Sequence, residues 1–251
     1  MINVPFLEAL RSIDWRSAWW QPWRELAQRV ATDVLAGQAV HAALNAVQSA
    51  SIRFVPQSSL PESLAYEAFI FETRSVPTRD NLHDFFNGLA WLQFPLIKAR
   101  LNALQHAEIE KNGVQQLRGP LRDALTLFDE NAAFLSAALH APVIAALRSH
   151  DWQAAFQTHR ALLAAHPPVL FGHALLEKLA APYKSIVAHV FSVSHASFDA
   201  LDATVAQQLS ASSLLPKPFA PLPVLGVPNW WPANEIPDFY TDSTVFRPPR
   251  S

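Results

Sequence analysis

Apolar residues recur every three to four positions along most of this 251-residue chain, the spacing that places them on one face of an α-helix. Pro95, Pro120, Pro142, Pro168 and Pro182 each fall near a predicted first turn, where a missing backbone amide costs little. The pattern therefore predicts a mostly α fold. The predicted helices cover residues 23–36, 38–48, 81–94, 96–110, 120–139, 142–149, 152–165, 169–180, 183–192 and 197–211.

Two short stretches depart from the helical pattern. Residues 52–56 and 66–72 are rich in β-branched and aromatic residues and are flanked by Ser and Pro. Such stretches are typical of strands. We expect a small β hairpin element near residues 52–72, as an accessory to the helical body.

The last part of the chain changes composition sharply. Residues 214–251 combine many prolines with large aromatic residues. Because such a segment cannot form a long helix and its rings avoid water, we expect an extended tail that packs on the helical domain of residues 1–213. The alternative is a peptide-like segment bound by another protein.

Composition excludes several classes of protein. Half of the residues are hydrophobic, 16% are charged, the net charge is −2 and cysteine is absent. The chain therefore folds, has no disulfide or thiolate metal site, and lacks the basic blocks that bind a nucleic-acid backbone. Only six glycines occur, none in a GxG or Walker pattern, which argues against dinucleotide and P-loop folds.

Nothing in the sequence predicts a membrane span. The longest uncharged apolar stretches, residues 131–147 and 161–176, contain prolines and are shorter than the about 20 residues that a span needs. No secretory apolar region follows Met1. The expected location is the cytoplasm, and the sequence leaves the oligomeric state open.

The first candidate for chemistry is the segment from Pro77 to Pro95. Its apolar residues form one helical stripe, whereas His83, Asp84 and Asn87 fall on the opposite side, toward solvent or a cleft. We expect Asp80 or Thr78 to cap this helix. The alternative for the polar group is an ordinary helix start, with Asp84 favoured by the helix dipole.

A second polar face lies in the segment RGPLRDALTLFDEN, residues 118–131. Arg122 and Asp129 share one side of the predicted helix, as do Asp123 and Glu130, because seven residues make about two turns. Acids beside arginines can bind a metal or a charged substrate. They can equally form an exposed, salt-bridged face.

The third candidate is LFGHALLEKL, residues 170–179, where His173 and Glu177 lie one turn apart, opposite the buried leucines. A His and a Glu at this spacing can face one metal ion, and they can also form a local hydrogen bond. The full HExxH signature is absent.

The ordered motifs VPTR, NLHDFFN, KARLN, RGPLRDALTLFDEN, FGHALLEKL, PLPVLG and WWPAN resemble an uncharacterised bacterial family known only as a domain of unknown function. The resemblance runs from about Phe69 to the C-terminus and implies no known activity. The chain departs from the family pattern where no basic residue stands between Trp91 and Phe94, and where Ala132 replaces a glycine. The motifs that carry the resemblance contain the same polar residues that the helical periodicity places away from the core.

We therefore expect a small-molecule enzyme, such as a metal-assisted hydrolase, with one cleft that gathers these groups. The alternative is a non-catalytic helical scaffold that binds a partner through the tail or through an aromatic face of Trp15, Trp19 and Trp23. The predicted residues are catalytic His83, Asp84, Asn87, Asp129 and Glu130; substrate-binding Arg118 and Arg122; and His83, His173 and Glu177 as ligands of Zn²⁺, Mn²⁺ or Fe²⁺.

Overall fold

The computed structural model describes residues 4–47, 52–112, 119–194 and 197–248. Over this part the protein is mostly α-helical, as the apolar spacing predicts. The helices are α1 (Val4–Ser12), α2 (Arg24–Leu35), α3 (Val40–Val47), α4 (Tyr66–Thr73), α5 (Leu82–Gln93), α6 (Pro95–Asn112), α7 (Pro120–Asn131), α8 (Ala141–Arg148), α9 (Arg160–Ala165), α10 (His173–Leu179), α11 (Phe198–Gln208) and α12 (Ala211–Leu214). A π-helical turn over Ala154–Thr158 precedes α9.

The strands form two small sheets instead of one hairpin. They are β1 (Arg53–Pro56), β2 (Ser75–Thr78), β3 (Ala132–Ser136), β4 (Val169–Leu170), β5 (Val187–Val193) and β6 (Ala220–Pro223). The first sheet pairs β1 with β2 in parallel. The second has the order β4-β3-β5-β6, with β3 and β5 parallel and the two outer pairs antiparallel.

The hairpin predicted near residues 52–72 is wrong in its second half. The first stretch does form β1, but residues 66–72 lie in helix α4, and the partner strand is β2. Parallel strands need a crossover, and α4 supplies it. Arg74 ends α4 in the left-handed conformation with φ 54°, which turns the chain into β2.

Three predicted helices contain strands. In the helix predicted over residues 169–180, the first two residues form β4, and α10 begins only at His173. The helix predicted over residues 120–139 stops at Asn131, where β3 begins, and the helix predicted over residues 183–192 is largely β5. In β3 four successive residues are buried, the continuous apolar run of a strand that is covered on both faces. Such a run has no helical or alternating period, which explains the error.

The aromatic residues of the N-terminal helices lie in the core. Trp19, Trp20 and Trp23 are 4%, 1% and 1% exposed, and the Trp20 ring stacks on Phe86 of α5 at 5.5 Å. The Nε1 of Trp23 donates a hydrogen bond to the carbonyl of Leu170 at 3.1 Å. Of the three residues of the alternative aromatic docking face, Trp19 and Trp23 are therefore core residues, and Trp15 is partly buried against the core.

The segment after residue 213 runs along the helical body. Its strand β6 forms an edge of the second sheet, and Tyr240 stacks on Phe156 at 5.4 Å. Buried Asn234 donates its side-chain amide to the carbonyls of Leu225 and Val227. Arg160 joins this segment to the body through an ion pair of 2.7 Å with Glu235. Within the described residues, no helix combines the length and apolar character needed to cross a membrane.

Candidate functional site

A cavity of about 370 Å³ opens where α4, α5, α6 and α7 meet the beginning of α10. Residues of all five helices line it, and most of them are polar. The apolar stripe of α5, including Phe85, Phe86 and Leu89, is fully buried on the other side, as its spacing predicts. The polar half of α5 therefore faces a cleft inside the protein.

Two histidine rings meet at the cavity. Nε2 of His83 lies 3.1 Å from Nε2 of His173, and the rings are close to perpendicular, with centroids 4.6 Å apart. The side chain of His83 is 38% exposed, whereas that of His173 is 5% exposed. The two residues come from helices 90 positions apart in sequence.

The hydrogen bonds fix where the protons lie. Nδ1 of His173 is 2.9 Å from the main-chain carbonyl of Asp129, which can only accept, so this nitrogen carries the hydrogen. Burial lowers the pKa of His173 to about 4, which keeps the ring neutral near pH 7. Its Nε2 is therefore an acceptor, and His83 must donate the hydrogen that joins the two rings.

Glu177 holds the other side of the His83 ring. Its Oε2 lies 2.9 Å from Nδ1 of His83, and this hydrogen bond raises the pKa of His83 above its ordinary value. A protonated His83 then donates from both nitrogens, one to Glu177 and one to His173. The pair thus combines a histidine that favours its charged form with one that favours its neutral form.

A buried lysine lies beside the histidine pair. Nζ of Lys98 donates to Oδ1 of Asp129 at 2.6 Å and to Oδ1 of Asn87 at 2.8 Å. Burial opposes ionisation of Asp129, but the positive charge of Lys98 outweighs it and lowers the pKa of this carboxyl. Asp129 is therefore a carboxylate, and its Oδ2 is 3.7 Å from Nδ1 of His173.

Asp84 and Arg79 form a second ion pair at the rim. The carboxylate of Asp84 accepts from Nε and Nη2 of Arg79 at 3.0 and 2.9 Å, and from its backbone amide at 2.6 Å. Asn81 caps α5 by accepting from the amide of Asp84. The predicted caps are wrong, because Asp80 instead accepts from the amide of Val40 and Thr78 bonds to the carbonyl of Val76.

Tyr66 adds a neutral donor to the cavity. Its hydroxyl oxygen accepts from Nδ2 of Asn87 at 3.1 Å. Burial raises the pKa of Tyr66 above its ordinary value, so the hydroxyl keeps its hydrogen. That hydrogen has no acceptor among the described residues.

Gly172 allows α10 to approach α7 closely enough to form the site. A Cβ at this position would collide with the backbone of Glu130 and Asn131. The amide of Gly172 also donates to the carbonyl of Ala132 at 3.0 Å. The glycine thus brings His173 onto the carbonyl of Asp129.

The structure brings most of the predicted site residues together. His83, Asp84, Asn87, Asp129, Glu130 and His173 line the cavity, and Glu177 contacts His83. Arg122 is not among the described lining residues, and Arg118 lies outside the described residues.

The three residues predicted as metal ligands, His83, His173 and Glu177, do not converge on one point in the structure. In the described ranges, no group of three or more His, Cys, Asp or Glu side chains is arranged to hold a metal ion. Glu177 contacts Nδ1 of His83, whereas His173 faces Nε2 on the far side of the same ring. In this arrangement Glu177 orients His83, and it does not face the two Nε2 atoms as a third ligand of Zn²⁺, Mn²⁺ or Fe²⁺.

Sequence reasoning missed Lys98, Tyr66 and Arg79. Lys98 lies in the KARLN motif and follows Ile97 on the buried side of α6, so a charged residue within an apolar stripe was the available signal. Tyr66 was assigned to a strand. No pattern in the sequence marked Arg79 as the partner of Asp84.

Fold and site together define a mostly α-helical protein with a polar cavity built around two hydrogen-bonded histidines. The chain belongs to the family described as "Protein of unknown function (DUF3025)", which matches residues 52–250. The predicted membership of a family of unknown function is thereby confirmed, and the match begins earlier than Phe69, near β1. No curated protein and no solved structure matches the chain.

Proposed function

We propose that this protein is an enzyme that acts on a small molecule in the cavity by general acid–base catalysis. The observation that carries the proposal is the contact between Nε2 of His83 and Nε2 of His173. Pairs of groups whose surroundings push their pKa values apart are typical of acid and base partners. Here the pKa of His83 is raised and that of His173 is lowered.

In this proposal His83 is the acid and His173 the base. A substrate or water that enters between the rings replaces their mutual hydrogen bond, accepting from His83 and donating to His173. The carboxylate of Asp129 stabilises the positive charge that develops on His173. Hydrolysis fits this arrangement, because water loses a proton to His173 while the leaving group takes one from His83.

Lys98 and Glu177 position the reacting groups. Glu177 fixes the His83 ring, and Lys98 holds Asp129 against His173. A hydrolase that needs a metal has less support, since Glu177 lies on the wrong side of His83 to complete a ligand set. The scaffold alternative has less support from its aromatic face, because Trp19 and Trp23 are core residues.

The test compares turnover by the protein and by its His83→Gln and His173→Gln variants. One assay uses a panel of esters, amides, phosphate esters and glycosides, and the other follows the compounds of a metabolite extract by mass spectrometry. The matched control is His41→Gln, a change on α3 outside the cavity. We expect turnover by the protein and the control, and at least about 100-fold less in both site variants. Thermal unfolding of each variant verifies that it is folded.

Two outcomes would contradict the proposal. One is turnover that persists in His83→Gln and His173→Gln. The other is no turnover of any compound by the unaltered protein, which would favour a binding protein.

A further inference from the structure

A second group of cavity residues takes no part in the histidine pair. It comes from α4 and α6 and includes Asn102 and Gln105, one turn apart on α6, with the aliphatic residues Ile70 and Leu101. Asn102 and Gln105 are only 9% and 8% exposed. Buried amides normally have hydrogen-bond partners.

Gln105 has no such partner among the described residues. Its side-chain amide makes no hydrogen bond to any described residue. The amide is also not one of the fully buried polar atoms without a partner, so it keeps some exposed surface, and this surface lines the cavity. Asn102 donates Nδ2 to the carbonyl of Glu67 at 2.8 Å, which leaves its Oδ1 free to accept. The cavity thus offers an unused amide donor and two unused amide acceptors.

The charges in the cavity leave a negative surplus. Arg79 is neutralised by Asp84, Lys98 by Asp129, and protonated His83 by Glu177. Glu67 and Glu130 also line the cavity, and neither has an ion-pair partner in the part of the chain that the structure describes. An anionic ligand would meet these carboxylates without a free cation to offset them among the lining residues that the structure describes.

We infer that the cavity binds a small ligand that carries an uncharged carboxamide-like group and an aliphatic segment. The ligand bears no negative charge, and a positive charge on it strengthens binding. The carboxamide pairs with Asn102 and Gln105, since amides donate and accept in the same plane. The aliphatic part packs on Ile70 and Leu101. This ligand class rests on the proposed function, because it takes the cavity to be the substrate site.

The test uses three probes with one skeleton and different charges: L-leucinamide (+1), N-acetyl-L-leucinamide (0) and N-acetyl-L-leucine (−1). Binding to the full chain is measured by ligand-observed NMR titration. We expect leucinamide to bind at least about tenfold more tightly than N-acetylleucine, with the neutral probe between them. Glu67→Gln combined with Glu130→Gln should remove the preference for the cation over the neutral probe.

The role of the amide cluster is tested separately with Gln105→Leu, which keeps the size of the side chain and removes its polar atoms. We expect both carboxamide probes to bind about tenfold more weakly, and Gln153→Leu, an exposed control, to bind as the unaltered protein does. The melting temperature of Gln105→Leu verifies that it folds.

The outcomes separate this inference from the proposed function. Equal or tighter binding of N-acetylleucine, or carboxamide binding that is unchanged in Gln105→Leu, overturns the ligand class even if His83 proves essential for turnover. If the probes bind in the expected order but no turnover depends on His83, the proposed enzymatic function is contradicted and the ligand class is supported.

Discussion

His83 and His173 are the same amino acid with opposite electrostatic surroundings. Glu177 favours the proton on His83, whereas burial removes it from His173. Their roles in the cavity follow from these neighbours, so each can be tested by changing the neighbour or the pH.

The pKa of His83 depends first on Glu177. We expect Glu177→Gln to lower this pKa, because the variant loses the carboxylate that stabilises the imidazolium. The measurement is an NMR titration of the His83 ring, with Glu62→Gln, a change at an exposed site, as the control. Because the folded pKa is raised, the ion pair stabilises the fold fully below the unfolded pKa and is lost as pH rises through the folded pKa. An unchanged His83 titration in Glu177→Gln would refute this assignment.

His173 should make the fold sensitive to acid. Its pKa is about 4 in the folded protein, below the ordinary 6.5 of a histidine, so the unfolded chain takes up the proton first as the pH falls. Stability therefore falls as pH drops from about 6.5 to about 4 and levels off below, by on the order of 3 kcal/mol. We expect His173→Gln to remove this part of the slope in urea unfolding at a series of pH values. If the slope of His173→Gln equals that of His41→Gln, the burial of a neutral His173 is not its cause.

At the scale of the elements, the loop before α10 decides whether the site forms. We expect Gly172→Ala to lower the free energy of unfolding by about 1–3 kcal/mol, because the added methyl group meets the backbone of Glu130 and Asn131. The shift should also separate His173 from Asp129, seen as a changed His173 ring signal in NMR.

Gly119→Ala is the matched control for Gly172→Ala. A Cβ at Gly119 has nothing within 4 Å, so its effect should stay within about 0.5 kcal/mol. Equal destabilisation by the two substitutions would show that helix capping, and not the close approach, sets the cost.

Helices with a clear apolar stripe were predictable, and short strands were not. The stripe of α7, Leu121, Ala124, Leu125 and Phe128, is buried as its spacing predicts. β3 continues directly from α7 without a glycine or proline to mark the change. It is buried mainly by β5 and β4, which are distant in sequence and so do not appear in a local window. Tertiary packing therefore decided the structure of residues 132–136.

The candidate site was predictable as a set of polar faces but not as a set of contacts. Helical phase identifies that His83 and His173 point away from their own apolar stripes. It cannot tell which nitrogen of His83 meets Glu177, and that detail places Glu177 away from the two Nε2 atoms. Lys98 was missed because a lone lysine on an apolar face gains meaning only from Asp129 and Asn87 across the cavity.

At the scale of the whole molecule, the segment after residue 213 is bound to the helical body by buried polar groups. Asn234 is 1% exposed and satisfies the carbonyls of Leu225 and Val227. We expect Asn234→Leu to destabilise the protein by about 2 kcal/mol or more, because both carbonyls lose their donor.

Urea unfolding followed by Trp fluorescence measures this effect. Glu235→Gln is the control, since its ion pair with Arg160 is half exposed and worth at most about 1 kcal/mol. A smaller loss in Asn234→Leu than in Glu235→Gln would mean that the surface ion pair, and not the buried amide, fastens this segment.

The hydrogen on Nδ1 of His173 is bonded to the main chain of residue 129 and not to its side chain. Every amino acid carries that same main-chain carbonyl. A substitution at position 129 can therefore change the charge of the cleft while Nδ1 of His173 keeps its hydrogen and its acceptor. The side chain of residue 129 thus sets the charge beside His173, whereas its main chain sets which nitrogen of His173 carries the hydrogen.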